Sequence, residues 1–202
     1  MHRFFLREAT RDLHHELDTA ISQLDLGEAD DYAAFLRIHA AALLPLEAAL
    51  EAGGVASRFA AWPRHRRSEA LKADLRACGI KNEHSETLAQ IESTEAQIGV
   101  LYVLEGSRLG GRLLARQAAG QEGRNAFLLH GAGLPLWQDF LSQLERLPDD
   151  DATRDGLADG ASMAFTLYGR AAGRILGAMQ RPAVEAVGSV ENANRIAAPN
   201  QS

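Results

Sequence analysis

Among the seven histidines of this 202-residue chain, His14 has the position most suggestive of chemistry. Leu6, Ala9, Leu13, Leu17, Ala20 and Leu24 recur at helical spacing, and Gly27 closes the run. Taking Leu6 as the centre of that apolar stripe, His14 lies about 80° from it, at the edge. Arg7, Thr10, Asp18 and Ile21 share its flank, while His15 points about 180° away, toward solvent. His14 can therefore look into the protein. Two roles suit such a residue: a boundary histidine hydrogen-bonded to a neighbour, or an axial metal ligand. No His-x-x-x-His or Glu-x-x-His pairing surrounds it, and zinc sites want three or four ligands. One imidazole suffices only where a porphyrin supplies the other four nitrogens to iron.

A second stretch is unusual for a different reason. Leu101-Tyr102-Val103-Leu104-Glu105-Gly106-Ser107-Arg108-Leu109-Gly110-Gly111-Arg112-Leu113-Leu114-Ala115-Arg116 reads as helix and carries three glycines. Each costs about 1 kcal/mol relative to alanine in a helix interior, roughly 3 kcal/mol together. Tyr102, Gly106, Gly110 and Leu113 fall on one stripe, with Gly99 one turn back, and Arg108 and Arg112 fall opposite. One helix face is thus stripped to backbone. Either another helix packs closely there, or a flat ligand lies against the bare face, with the Gly110–Gly111 pair bending the helix over it.

Leu6-Arg7-Glu8-Ala9-Thr10-Arg11-Asp12-Leu13-His14 resembles the proximal-helix motif of the haem oxygenase family. Tyr102-Val103-Leu104-Glu105-Gly106-Ser107-Arg108-Leu109-Gly110-Gly111 is similar to that family's glycine-rich distal helix in its bacterial, biliverdin-producing form. The motifs match in the family's order and at about its separation, over roughly residues 3–180. The resemblance implies an all-α domain that holds haem b, cofactor and substrate at once, in a slot between the first helix and the glycine-rich kinked helix. It makes His14 the iron ligand, with Glu8, Glu16 or a water as candidates for the partner of its other ring nitrogen. Gly106 and Gly110 leave room on the oxygen side. Arg7 and Tyr102 help hold the propionates, and Phe165 falls at an aromatic position on a late helix.

The activity implied is monooxygenation: the ring is opened with O2 and external electrons to biliverdin, carbon monoxide and ferrous iron. Animal members carry an aspartate just after the first distal glycine. Here the position is Ser107, so proton delivery relies on backbone carbonyls, water and Ser107. That departure leaves a non-catalytic haem carrier or sensor as the alternative. Gln138 falls where animal enzymes carry a basic residue. Arg11, Arg112 and Arg116 are further propionate candidates.

The elements that must position these residues are helical throughout, with no sustained apolar/polar alternation. A second helix starts near Asp30 or Asp31, contains Pro45 and runs to Gly53-Gly54. Ser57 to Trp62 is a short piece closed by Pro63, and helices follow over Ser68 to Ala77 and Ser85 to Ile91. Thr94-Glu95-Ala96-Gln97 reads as a capping box opening the glycine-bearing helix, which ends near Gly120. A short apolar turn spans Ala126 to Leu129, then an amphipathic helix Leu136 to Leu147. Asp149-Asp150-Asp151 is an anion cluster at a helix start. The last helix, Ala152 to Met179, should bury Leu157, Met163, Phe165, Leu167 and Leu176. The domain is expected over 1–182, with 183–202 a flexible tail.

Composition narrows the partners. The net charge of −6 argues against nucleic acid. The single Cys78 excludes an internal disulfide and a cysteine-built metal site. Arg64-His65-Arg66-Arg67 reads as a solvated surface run, and His39, His84 and His130 as surface or boundary residues. The stretch Met1 to Glu8 lacks the long apolar region of a signal peptide, and no apolar run is expected to approach the ~18–20 residues that span a bilayer, so a cytoplasmic protein is expected. No flavin- or nicotinamide-binding signature is present, so electrons come from a ferredoxin, a flavodoxin or a reductase. The resemblance leaves two uses of the product open, iron supply or a biliverdin-accepting phytochrome.

Overall fold

The apolar run of the second helix becomes the spine of the structure. In this computed structural model, which describes residues 1–81, 86–118, 120–121 and 123–180, that helix spans Ala29–Ala52. Leu36, Ile38, Leu43, Leu46 and Leu50 on it are fully buried. Two helices precede it, α1 (His2–Ala9) and α2 (Arg11–Ile21), so the spine is α3. The expected first helix is therefore two. Thr10 between them has φ −110° and ψ 9°, and its Oγ1 donates to Leu6 O at 2.7 Å. α3 also corrects the expectation about apolar runs. An 18-residue window of it has mean hydropathy 1.4, enough by length and composition to cross a membrane. That window is 78% buried inside the protein, which is how the core helix of a soluble fold reads.

Short helices α4 (Val55–Arg58) and α5 (Trp62–His65) lead to α6 (Ser68–Ala77). The expected helix over Ser85 to Ile91 is not formed: residues 86–91 have no regular structure, and Ser85 and His84 lie outside the described residues. Ile91 and Gln97 are tied to the end of α3 instead. Gln97 Nε2 donates to Gly53 O at 2.8 Å and to Ile91 O at 2.6 Å. With Gln97 so engaged, the cap of the glycine helix moves back one residue. Ser93 accepts from Ala96 N at 3.1 Å, and α7 runs Thr94–Gln117 as one unbroken helix through both glycine positions.

α8 (Ala126–Leu129), α9 (Leu136–Leu144) and α10 (Asp151–Met179) complete the fold. Asp150 caps α10 by accepting from Thr153 N at 2.8 Å, and its carboxyl is held below the usual range chiefly by that bond. α10 packs along α7, α3 and α2. Against α7 the backbones nearly touch: a Cβ on Gly99 would fall 2.2 Å from Leu157 O, and one on Gly160 would fall 2.1 Å from Ala96 O. Met163, expected in the core, is 42% exposed. Among the described residues every regular element is helix. The expected tail, 183–202, lies outside them.

Candidate functional site

α1 and α2 supply one wall of a cavity of about 720 Å³, and α7 supplies another. That volume is in the range of small-molecule and cofactor sites. Arg3, Arg7, Thr10 and His14 line it from α1 and α2, and Tyr102, Gly106, Ser107 and Gly110 line it from α7. A Cβ on Gly106 or on Gly110 would meet nothing within 4 Å. The bare strip therefore faces open space within the cavity, and the close packing expected as the other reading falls about two turns before Gly106, at Gly99. The side chain of Leu113, expected on the same stripe, and that of Arg112 lie outside the description.

His14 projects from α2 with its side chain 60% exposed. Its Nδ1 lies 3.0 Å from Asp18 Oδ2, one helical turn on. A carboxylate at Nδ1 favours the proton there and leaves the Nε2 lone pair free for a metal. The carboxylate in this place is Asp18, not the expected Glu8 or Glu16; Glu8 is paired with Arg11 at 2.7 Å. The ring of Phe165 meets the imidazole edge-on, centroids 5.6 Å apart. Among the described residues no group of three or more His, Cys, Asp or Glu could hold a bare ion.

Tyr102 is half-buried, its ring 6.1 Å from Trp137. Burial pushes its phenol up, opposed by the charges of Arg3 and Arg7. The three residues thus share one end of the cavity, with Arg3 over the Trp137 ring at 5.8 Å. Gln138 is exposed and is not among the residues that line the cavity.

The run Arg64-His65-Arg66-Arg67 is a correction. Arg64 and Arg66 do face solvent, with side chains 63% and 38% exposed, but His65 and Arg67 are buried. The backbone is extended at Arg66, φ −61° and ψ 131°, and extended chain sends alternate residues to opposite sides. Arg67 Nη2 donates to Leu104 O at 2.7 Å and to Ser107 Oγ at 2.9 Å. Ser107 Oγ in turn donates to Leu104 O at 2.8 Å. Glu47 of α3 fixes this corner, accepting from Arg67 N at 2.8 Å, from Ser68 N at 2.9 Å and from Ser68 Oγ. It satisfies the orphan donors at the start of α6 from outside the helix.

Behind α7 a second polar cluster forms. Glu105 receives Arg108 through both oxygens, at 2.8 and 3.0 Å, and lies 3.1 Å from His65 Nδ1. Burial alone would raise the Glu105 carboxyl, but the His65 and Arg108 bonds outweigh it and hold the group at about 2. Arg108 Nη1 also reaches His130, 2.9 Å from Nδ1 and 3.1 Å from its carbonyl. His130 is thus a boundary residue as expected, whereas His39 is a core one. Its ring lies 4.4 Å from Phe35 and 4.8 Å from Phe127. Burial, then the Arg67 charge, lowers it to about 3. Its place one residue after Ile38 and four after Phe35 on an apolar helix was the available signal.

One slot thus joins the exposed imidazole of His14, an open backbone face and an arginine–tyrosine end, and residues 4–173 match the haem oxygenase family model. The chain belongs to the haem oxygenase family. A haem oxygenase from Xanthomonas campestris pv. campestris (strain 8004) is 35% identical to it over 146 residues, 70% of this chain and 88% of the relative. The crystal structure of the NO- and CO-bound haem oxygenase from Neisseria meningitidis superposes with a TM-score of 0.71. That match covers 88% of this chain and 92% of the other at 20% identity, and shows the shared all-helical fold. As a haem oxygenase the protein is a haem-degrading enzyme. The residues present fit that substrate. The cavity volume, the clear space beside Gly106 and Gly110 and the free Nε2 of the exposed His14 suit a flat macrocycle that brings its own four nitrogens.

Proposed function

We propose that haem lies between α2 and α7, with His14 Nε2 as its iron ligand and Gly106 and Gly110 flanking the oxygen side. The observation that carries this reading is the unfilled space beside both glycines in the cavity that His14 also lines. When bound, haem supplies the iron at which O2 is reduced and the ring that is opened to biliverdin, carbon monoxide and ferrous iron. The protein contributes the setting. Asp18 keeps the proton on His14 Nδ1 and so orients the ring with Nε2 free for the iron. Phe165 limits rotation of the imidazole from the side. Arg7 and Tyr102, with Arg3 beside them, bind the propionate carboxylates at one end, where paired cations and a phenol give charge-assisted bonds.

Ser107 does not act alone. Its hydroxyl proton is committed to Leu104 O and its lone pair receives Arg67 Nη2. Ser107 is thus a fixed hydroxyl beside the oxygen side, and the protons delivered there come through water and backbone carbonyls. Electrons come from a separate ferredoxin, flavodoxin or reductase, the enzyme works in the cytoplasm, and the domain spans residues 1–182. Biliverdin passes to a phytochrome or the iron enters supply.

Haem titration followed by turnover tests the reading. Wild-type protein with haem, air and ascorbate should convert the haem band to a biliverdin spectrum; a stable ferrous-oxy complex would indicate a carrier instead. His14→Ala should lose the histidine-ligated spectrum while keeping its thermal stability, since the side chain is mostly exposed. An unchanged spectrum refutes the ligand assignment.

A further inference from the structure

Arg108 stands between Gly106 and Gly110, and its side chain is only 11% exposed. All five of its N–H donors are placed. Nε and Nη2 reach the two Glu105 oxygens at 3.0 and 2.8 Å, and Nη2 also reaches His65 O at 2.7 Å. Nη1 reaches His130 O at 3.1 Å and His130 Nδ1 at 2.9 Å. One guanidinium thus ties α7 to the last residue of α5 and to the residue that closes α8. The planar fork of arginine can fill five such positions; a lysine ammonium has three donors.

The far ends of these bonds are themselves fixed. Asp74 of α6 accepts from Ala126 N at 3.0 Å and from Phe127 N at 2.8 Å, so α8 is held at its start. The chain after His130 passes so close that a Cβ on Gly131 would lie 3.4 Å from Arg108 Nη1. On the slot side Gly106 and Gly110 have no side chains to rest on anything, and the contact at Gly99 lies about two turns back. The height of the open half over the slot is therefore set from behind.

We propose that Arg108 is a positioning residue for the oxygen side: by bonding His65 and His130 it fixes where the Gly106–Gly110 backbone stands over the slot. This rests on the reading that those glycines flank the oxygen side. The bond to His130 adds a condition. Arginine has no acceptor, so His130 must present a bare Nδ1 and carry its proton on Nε2. Burial, then the charges of Arg108 and Arg67, hold its ring below the ordinary 6.5 against the pull of Glu105, and His65 is the other titratable group that acts on it. Protonation in acid removes the acceptor and sets two cations side by side.

Hydrogen exchange of the full chain without haem reads the tie directly. At pH 7.5, Arg108→Met and Arg108→Lys should each lower the protection of the amides from 106 to 111 about tenfold and leave those of α3 unchanged. Wild-type protection there should fall between pH 7.5 and 5. His130→Asn, whose side-chain oxygen accepts the same bond without titrating, should keep it. With haem added, the Arg108 variants should bind it within about threefold of wild type, since His14 and the propionate end are untouched, and turn it over at least about tenfold more slowly. If Arg108→Met fails to fold, the comparison of wild type with His130→Asn decides alone. Protection unmoved in the Arg108 variants, or falling with pH alike in wild type and His130→Asn, overturns the proposal. Lost protection with undiminished turnover shows a purely structural tie and overturns it too. A wild-type protein that binds no haem refutes the reading of the slot itself, while the exchange results still establish or refute the tie.

Discussion

The two halves of α7 use glycine for opposite reasons. At Gly99 the missing side chain is replaced by protein: Leu157 O would lie 2.2 Å from a Cβ there. At Gly106 and Gly110 it is replaced by space. The first half fastens α7 to α10, and the second half is kept clear beside it. Both carry the same propensity cost of about 1 kcal/mol per residue. Only the surroundings tell a packing glycine from a functional one. The rigid contact at Gly99 and Gly160 lets the open half hold its shape without side chains of its own.

The largest effect expected from breaking this contrast is at the packed end. Gly99→Val or Gly160→Val drives carbons into backbone carbonyls that cannot yield. The loss should be about 3 kcal/mol or more, a large fraction of the 5–15 kcal/mol typical of a domain. Urea unfolding measures it; midpoints near wild type would disprove the close approach.

At the open end a bulky residue should leave folding alone and stop function. Gly110→Leu has free space for its side chain in the empty cavity, so the melting temperature should stay at or above the wild-type value. Haem uptake or turnover should fall at least about tenfold, at least ~1.4 kcal/mol. Wild-type turnover in that variant would show that the bare face is not where substrate or oxygen lies.

How far the sequence reveals this contrast follows from what periodicity can carry. The Gly106–Gly110 stripe was legible because it lies on the long regular α7, where spacing fixes direction, and His14 was legible although Thr10 divides its expected helix in two. That Gly99 belongs to a different contact was not, because the stripe continues straight through it and only α10 separates the two uses. Arg67 and His65 were missed because they sit at a turn into extended chain, where a basic tetrapeptide alternates inside and out. The Asp18 partner of His14 was within sight on the same flank, but choosing it over Glu8 or Glu16 needs rotamers. The cap at Ser93 was displaced from Thr94 because Gln97 is drawn to Gly53 and Ile91, a contact with no local signature.

Glu105 sits between the two halves and makes the contrast pH-dependent. Its carboxyl is held at about 2 against an ordinary 4.5. A depressed acid contributes stability that is fully present above pH 4.5 and is lost as pH falls toward 2. Near neutral pH the dependence is absent; it grows only in acid. Urea unfolding from pH 7 to 2 should show that slope in wild type and a shallower one in Glu105→Gln. Identical slopes would mean that the pairing with Arg108 and His65 does not set the titration.

The smallest effect is the sharpest comparison, because one substitution should change sign along one helix. Gly110→Ala adds a methyl group that meets nothing within 4 Å and gains helix propensity, so the haem-free protein should be stabilised by up to about 1 kcal/mol. Gly99→Ala gains the same propensity and loses more, because its methyl collides with Leu157 O. Chemical unfolding of both variants side by side cancels the propensity term, which is common to them. What remains is the difference between backbone-filled and empty surroundings. If both alanines stabilise, the α7–α10 contact is looser than the structure has it. If both destabilise, something already occupies the space beside Gly110 in the haem-free protein.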